Sequence, residues 1–421
     1  MVKTLHDLTA ISDYDPNSMP VEQARAHIRA FLSPVGTVER LNIRAALGRV
    51  LAEDVISPVN VPQHDNSAMD GYAVRFADLK PDGDTTLTVI GTAYAGKPFT
   101  GTVQSGQAVR TMTGAVIASG ADTVIQQERA KAAGNQVAVM PVPKKGLNTR
   151  SAGEDLRAGE VALGRGQPVR PAELGMLASL GIGEVAVYRK LRVAFFSTGD
   201  ELVAIGQPLA PGQIYDSNRY TIYGLLMRLG CEVLDMGVIR DTPREVEQAF
   251  RQAAQAADVV ITSGGVSVGE ADYVKQILDR LGEVLFWKIA MKPGRPLAYG
   301  KIGNAHFFGL PGNPVAVMVT FYQFVRDALL YLQGQTRVAP LPTQKVVCST
   351  AIKKAPGRTE FQRAILAQDA TGQWSVQSTG DQGSGILSSM SQANCFIILP
   401  SEAGNIAAGT AVDVQLLEGL I

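Results

Sequence analysis

The sequence of 421 residues predicts a multi-domain protein of α/β and β parts, centred on a doubly wound parallel sheet. Three observations predict this. From about residue 191 to 340, short apolar segments alternate with helical ones, the pattern of parallel strands joined by crossover helices. On either side of that region the pattern changes to short strands broken by turn residues. The length also exceeds what one hydrophobic core normally organises.

In chain order, Pro20 opens a helix carried by Val21, Ala24, Ile28 and Phe31, with the spacing of one apolar face. Val38 to about Val55 is read as a second helical segment. From Pro58 to about Asp155 the sequence reads as β structure: TLTVIGTAYAG and QAVRTMTGAVI as strands, and a hairpin turning at Gly134-Asn135. A helix returns at Pro171, with Glu173 in its first turn and Gly181 beyond its end. The helical layer is thus interrupted by a β-rich insertion. Residues 1–57 with 159–190 are expected to form an elongated helical N-terminal domain, and 58–158 the insertion.

The α/β domain, 191–340, follows. Strand LRVAFFS leads to a helix from about Asn218 to Leu229, and strand CEVLDMGVI to one opened by Thr242-Pro243. Strand DVVITS leads to a helix ending near Leu281, and strand HFFGL to a helix running through Leu332. After Pro340-Leu341-Pro342 the pattern is short strands again, so 341–421 is expected to be a β domain.

Composition narrows the function. Lys+Arg and Asp+Glu are both 39, and a chain with no basic excess is not expected to bind nucleic acid. The 43 glycines suit many tight turns or backbone-lined anion sites. Three well-separated cysteines and four scattered histidines, with no CxxC, argue against a zinc site or a disulfide framework. The start, MVKTLHDLTAISDYD, has no apolar stretch of a secretory signal. Phe307 to Val325 carries no charge, but Pro311-Gly312-Asn313-Pro314 breaks it, leaving a helix read as too short to cross a bilayer unaided. A soluble, cytoplasmic protein without a membrane partner is expected.

Ligands of doubly wound sheets bind beyond the carboxyl ends of the strands. Three loops at that edge combine glycine with hydroxyls or carboxylates: Ser197–Glu201, Ser263–Asp272 (which holds Gly264, Gly265, Ser267 and Glu270) and Gly309–Pro314 (which holds Pro311, Gly312 and Asn313). Glycine lets backbone N–H groups approach an anion, and a helix start adds a favourable field. No Walker A loop or GxGxxG is present, so a nicotinamide dehydrogenase is disfavoured. Positive charge would come from Lys288, Lys292 and Arg295 in KIAMKPGRP. Asp200, Glu201, Asp216, Asp241, Glu270 and Asp272 lie in or beside the same loops. Carboxylates near phosphate call for a divalent cation between them, and hard oxygen ligands favour Mg2+. Helix capping explains any single one of them equally well. Two further polar turns, His64–Asp70 and Arg150–Asp155, flank the insertion.

DNSAMDGYAVR, RTMTGA, RSAGEDL, STGDEL, TSGGVSVGEADY, KIAMKPGRPL and GLPGNPVAV occur in that order along the chain. Together they resemble the molybdopterin molybdotransferase family, to which the E domain of gephyrin is similar. The resemblance implies a molybdopterin-binding α/β domain and a C-terminal domain like a β-barrel. It implies that adenylylated molybdopterin and molybdate are converted to molybdenum cofactor and AMP, with Mg2+ required. By motif it implies Asp70, Asp155, Glu201 and Asp272 as catalytic, and Glu201, Asp241 and Asp272 as metal ligands. Thr113, Gly264, Gly265, Ser267, Lys288, Lys292, Arg295, Pro311, Gly312, Asn313, Arg363 and Ser384 are implied to bind substrate. Arg295 stands where many members have lysine, which keeps the charge but changes the donor geometry. Arg363 and Ser384 are implied to hold molybdate. The resemblance also implies a homodimer with its site at the subunit boundary, supplied by an upstream molybdopterin adenylyltransferase. The alternative in another class is a non-catalytic gephyrin-like scaffold.

Overall fold

The computed structural model describes residues 5–9, 14–264 and 272–417. At its centre is a six-stranded sheet in the order 232–239, 192–198, 259–263, 305–310, 296–302, 282–288. The first four strands are parallel and the last two antiparallel. The predicted doubly wound sheet is therefore present, extended at one edge by an antiparallel pair. Its inner strands are largely buried on both faces. Val193 and Phe195 face one core with Ile222, Leu226 and Val317. Ala194 and Phe196 face the other with Val246, Phe250 and Leu278, as the two-residue repeat of a strand requires.

The helix after strand 305–310 runs unbroken over Pro314–Leu332, with a π-helical stretch at Phe321–Val325. By length and composition it could cross a membrane, contrary to the sequence expectation that it is too short. However, 78% of its apolar window is buried within the fold, so it is the core helix of this domain.

A second correction concerns Val38–Val55. The segment contains a strand, Val38–Asn42, paired antiparallel with Glu184–Tyr188, followed by turns. The apolar residues Val38 and Leu41 permitted a helical reading. The distant strand Glu184–Tyr188 supplies hydrogen-bond partners that local periodicity does not reveal. The helices Val21–Phe31 and Pro171–Ser179 are present. Between them, strands of 71–139 make a mixed six-stranded sheet.

In the C-terminal part, strands 359–368, 374–378, 343–348, 411–416 and 395–399 close on themselves as a five-stranded barrel. Its core includes Val346, Leu366, Ile397 and Val414. Met291–Lys292 pairs in parallel with Thr359–Glu360 of the barrel. That pairing, between residues remote in sequence, brings the KIAMKPGRP segment against the C-terminal domain.

Candidate active site

A cavity of about 480 Å3 opens at the carboxyl ends of strands 192–198, 259–263 and 305–310. The first loop contributes Thr198, Gly199 and Glu201, the second Gly264, and the third Pro311, Gly312 and Asn313. Two of these glycines are required by geometry. Gly264 has φ +88°, and a Cβ there would stand 2.7 Å from the Thr198 carbonyl oxygen. Gly199 has φ +149°, and a Cβ would stand 2.5 Å from a carboxylate oxygen of Glu201. The chain at Gly199 therefore leaves the space that the Glu201 carboxylate occupies.

Lys292 and Arg295 enter from the segment beside the barrel, and Arg358, Gln382, Gly383 and Ser384 from the barrel itself. Asp241 completes the wall, its backbone N–H donating to Asp200 Oδ1 at 3.4 Å. Three cations thus share one cavity with two carboxylates. Such a site attracts an anion while keeping oxygen donors beside it.

Several residues hold this arrangement without lining it. The Asn218 side-chain Nδ2 donates to Ser263 Oγ at 2.8 Å and to the Gly312 carbonyl at 2.7 Å. One amide thus fixes the ends of two strands relative to each other. Asp216 caps the helix Ser217–Arg228 through Oδ1, which accepts from the Arg219 N–H at 3.1 Å. Its Oδ2, with Ser197 Oγ and Asn218 Oδ1, is buried without a partner among the described residues. Unsatisfied buried polar atoms are uncommon in native folds and concentrate polarity behind the loops here.

The other sequence-selected residues are placed as follows. Lys288 does not line the cavity. Its backbone N–H donates to the Pro16 carbonyl at 2.7 Å, and its carbonyl accepts from Met19 at 3.1 Å, anchoring the N-terminal segment. Arg363 is wholly buried and also does not line the cavity. It donates to Ser389 Oγ at 2.9 Å and to the carbonyls of Gln382, Gly383 and Asp381 at 3.1, 2.9 and 3.3 Å. Burial pushes this guanidinium below its usual range, with Asp381 opposing the shift. The arginine of the C-terminal domain that does line the cavity is Arg358, which sequence reasoning passed over. Arg358 and Arg363 occur in one short run, GRTEFQR. The first sits in the turn before the strand and the second inside it, and Gly357 marked that turn. Asn218 was missed because its partners are 45 and 94 positions away.

Asp70, Thr113 and Asp155 lie in the insertion region and do not line the cavity either. Asp70 Oδ1 accepts from the Thr113 backbone N–H at 2.7 Å and its Oγ1 at 2.9 Å. These bonds, with Arg110 adding a little, hold the Asp70 carboxyl below the usual carboxylate range. Asp155 is exposed, and its N–H donates to the Val61 carbonyl at 3.1 Å. Gly265, Ser267 and Glu270 lie outside the described residues, as does the side chain of Asp272, whose backbone opens the helix Asp272–Leu281.

Residues 19–181 match the family described as MoeA N-terminal region (domain I and II), 194–331 the Probable molybdopterin binding domain, and 345–417 the MoeA C-terminal region (domain IV). The molybdopterin molybdenumtransferase of Haemophilus influenzae is 48% identical over 404 residues, covering 96% of this chain and 100% of its own. That of Nostoc sp. is 38% identical over 388 residues, covering 90% and 88%. The crystal structure of the molybdopterin biosynthesis moeA protein from Pyrococcus horikoshii OT3 matches with TM-score 0.82 at 30% identity, over 95% of this chain and 100% of that one. Likeness of this degree over nearly the whole of both chains, in sequence and in fold, assigns the chain: it belongs to the molybdopterin molybdenumtransferase family.

Proposed function

We propose that this cavity takes adenylylated molybdopterin and molybdate and returns molybdenum cofactor and AMP. The observation that carries the proposal is the convergence of Lys292, Arg295 and Arg358 with Glu201 and Asp241 on one cavity. Adenylylated molybdopterin carries a phosphoanhydride, and molybdate is a dianion. Both need positive charge, and neither tolerates bare carboxylates nearby.

In this reading the backbone around Gly264 and Pro311–Asn313 receives the phosphoanhydride, with Lys292 and Arg295 over its oxygens. Gly265 and Ser267 follow Gly264 in the same sequence motif. Cleavage leaves additional negative charge on the departing AMP, which fixed cations stabilise without reorganisation. Arg358 and Ser384 hold molybdate, one by charge and one by a hydroxyl donor.

The donor set fits Mg2+. Among the described residues no three His, Cys, Asp or Glu side chains gather as a closed metal site. Mg2+ does not need one, since it is commonly held by one or two carboxylates together with substrate phosphates and water. Glu201 and Asp241 are the residues that would hold it, with Asp272 as the third member of the set. Bound there, it would neutralise phosphate charge during cleavage.

A homodimer follows from the same reading, because Asp70, Thr113 and Asp155 belong to the active set yet lie away from the cavity of their own chain. The exposed residues Tyr220, Tyr223 and Met227 share one face of the helix Ser217–Arg228 and offer an apolar surface for a second copy. Three buried free thiols, Cys231, Cys348 and Cys395, suit a reduced cytoplasmic setting. The adenylylated substrate would come from a molybdopterin adenylyltransferase.

Measuring AMP released from adenylylated molybdopterin, with molybdate and Mg2+ varied, tests the proposal. AMP and active cofactor should appear together and require Mg2+. Absence of both would leave a gephyrin-like scaffold as the reading.

A further inference from the structure

We infer that Arg363 is a positioning residue for the oxyanion. Its buried guanidinium shapes the loop that presents Gln382, Gly383 and Ser384 to the cavity, and it places a positive charge behind that wall. The inference rests on the proposed molybdate-binding role of the cavity.

Four hydrogen bonds from the guanidinium reach Ser389 Oγ and the carbonyls of Asp381, Gln382 and Gly383. The main chain of the same residue holds the same loop. Its N–H donates to Gln382 Oε1 at 2.8 Å, and its carbonyl accepts from the Thr379 N–H at 3.0 Å and Gln382 Nε2 at 3.1 Å. Ser384 follows directly, and its carbonyl accepts from the Val315 N–H at 3.1 Å. The loop is therefore tied to the barrel by Arg363 and to the α/β domain by Val315, with the cavity between the two ties.

The electrostatics point the same way. A buried cation is costly unless a negative partner compensates it. Among the described residues, no carboxylate forms an ion pair with Arg363. Glu360, on the same strand, instead faces Lys292 at 3.7 Å. Carbonyl dipoles satisfy the Arg363 donors but do not cancel the charge. An arriving dianion in the cavity supplies the missing negative charge, and at short range in a low-dielectric wall that attraction is felt without direct contact.

The test uses the full-length protein with Arg363→Lys and Ser389→Ala. Lysine keeps the charge but cannot fork to three carbonyls. Ser389→Ala removes one bond and leaves the guanidinium in place. For Arg363→Lys the molybdate concentration giving half-maximal activity should rise on the order of tenfold. The KM for the pterin substrate should stay within about twofold. Ser389→Ala should show the same selective effect, only smaller. In Arg363→Ala, added guanidinium ion should restore part of the molybdate affinity. An unchanged molybdate midpoint in folded variants, or equal loss for both substrates, would overturn the inference. If Arg363→Lys does not fold, Ser389→Ala decides alone. Wild-type protein that shows no molybdate dependence would sink the underlying reading instead.

Discussion

Lys292 Nζ stands 3.7 Å from Glu360 Oε1, joining the cation segment of the α/β domain to a buried carboxylate of the barrel. The two residues are also register partners in the parallel pairing of Met291–Lys292 with Thr359–Glu360. Gln362 Nε2 donates to the other Glu360 oxygen at 2.8 Å, so the carboxylate is held on both sides. Lys292 itself remains half exposed, with 49% of its side chain accessible. The pair therefore aims the lysine without burying its charge.

This arrangement predicts opposite effects on binding and stability. Glu360→Gln removes a negative charge from beside the cavity, so the pterin substrate should bind as well as in wild type or up to about fivefold more tightly. The melting temperature should fall, because a buried polar group loses part of its network. Substrate titration with a thermal melt on the same variant checks both. A weaker KM for the pterin substrate would show that Glu360 supports the lysine more than it competes with the anion.

Asn218 should matter for the pterin substrate in particular. Asn218→Ala leaves Ser263 and the Gly312 carbonyl without the amide that bridges them. The third loop then shifts relative to the second, and kcat/KM should drop about tenfold for a lost pair of hydrogen bonds. Asn218→Asp should be worse, since a carboxylate not only cannot donate but sets a negative charge against the Gly312 carbonyl oxygen. Steady-state kinetics against varied pterin substrate reads this, and wild-type kcat/KM in both variants would remove Asn218 from the positioning role.

Local pattern was enough to reveal the α/β domain, because each buried strand is an apolar run and Thr242-Pro243 marks a helix start. It failed at Val38–Asn42, whose partner strand lies more than a hundred residues later. The cavity loops were legible from glycine placement at strand ends. The division of labour between Arg358 and Arg363 was not, since strand burial alone separates them. Nor could sequence show that Lys288 points its main chain to the N-terminal segment while Lys292 lines the cavity. Both are cations of one motif, and only the pairing with the barrel tells them apart.

Acid should destabilise the fold in two stages. His306 is buried, and burial pushes its imidazole down to about 4 from 6.5, with Lys301 adding and Asp258 opposing. The unfolded chain then binds a proton below 6.5 that the folded chain does not take until about 4. Stability is full above the unfolded value and falls as pH drops through this window, by on the order of 3 kcal/mol. Glu173, lowered to about 2 from 4.5 chiefly by its hydrogen bond with Arg170, loses its contribution in the lower window. Urea unfolding at several pH values reads the slope. His306→Asn should flatten it between 6.5 and 4, whatever its effect at neutral pH. An unchanged slope would place the titration elsewhere.

The last prediction concerns a site shared between two copies. Thr113 fixes Asp70 in place, yet neither residue lines the cavity holding Lys292. If both belong to one active site, a second chain must bring Asp70 to the cavity of the first. Asp70→Ala and Lys292→Ala should each be inactive alone. Mixed and allowed to exchange, they form hybrid dimers in which one site has lost both residues and the other has lost neither. Random exchange makes half the dimers hybrid, each with one intact site, so activity should recover to about a quarter of wild type. The recovery must depend on exchange, which differently tagged chains can report. A site completed within one chain predicts no recovery at any mixing ratio. No AMP release after demonstrated exchange would therefore place Asp70 outside the partner's site and require another role for the Asp70–Thr113 pair.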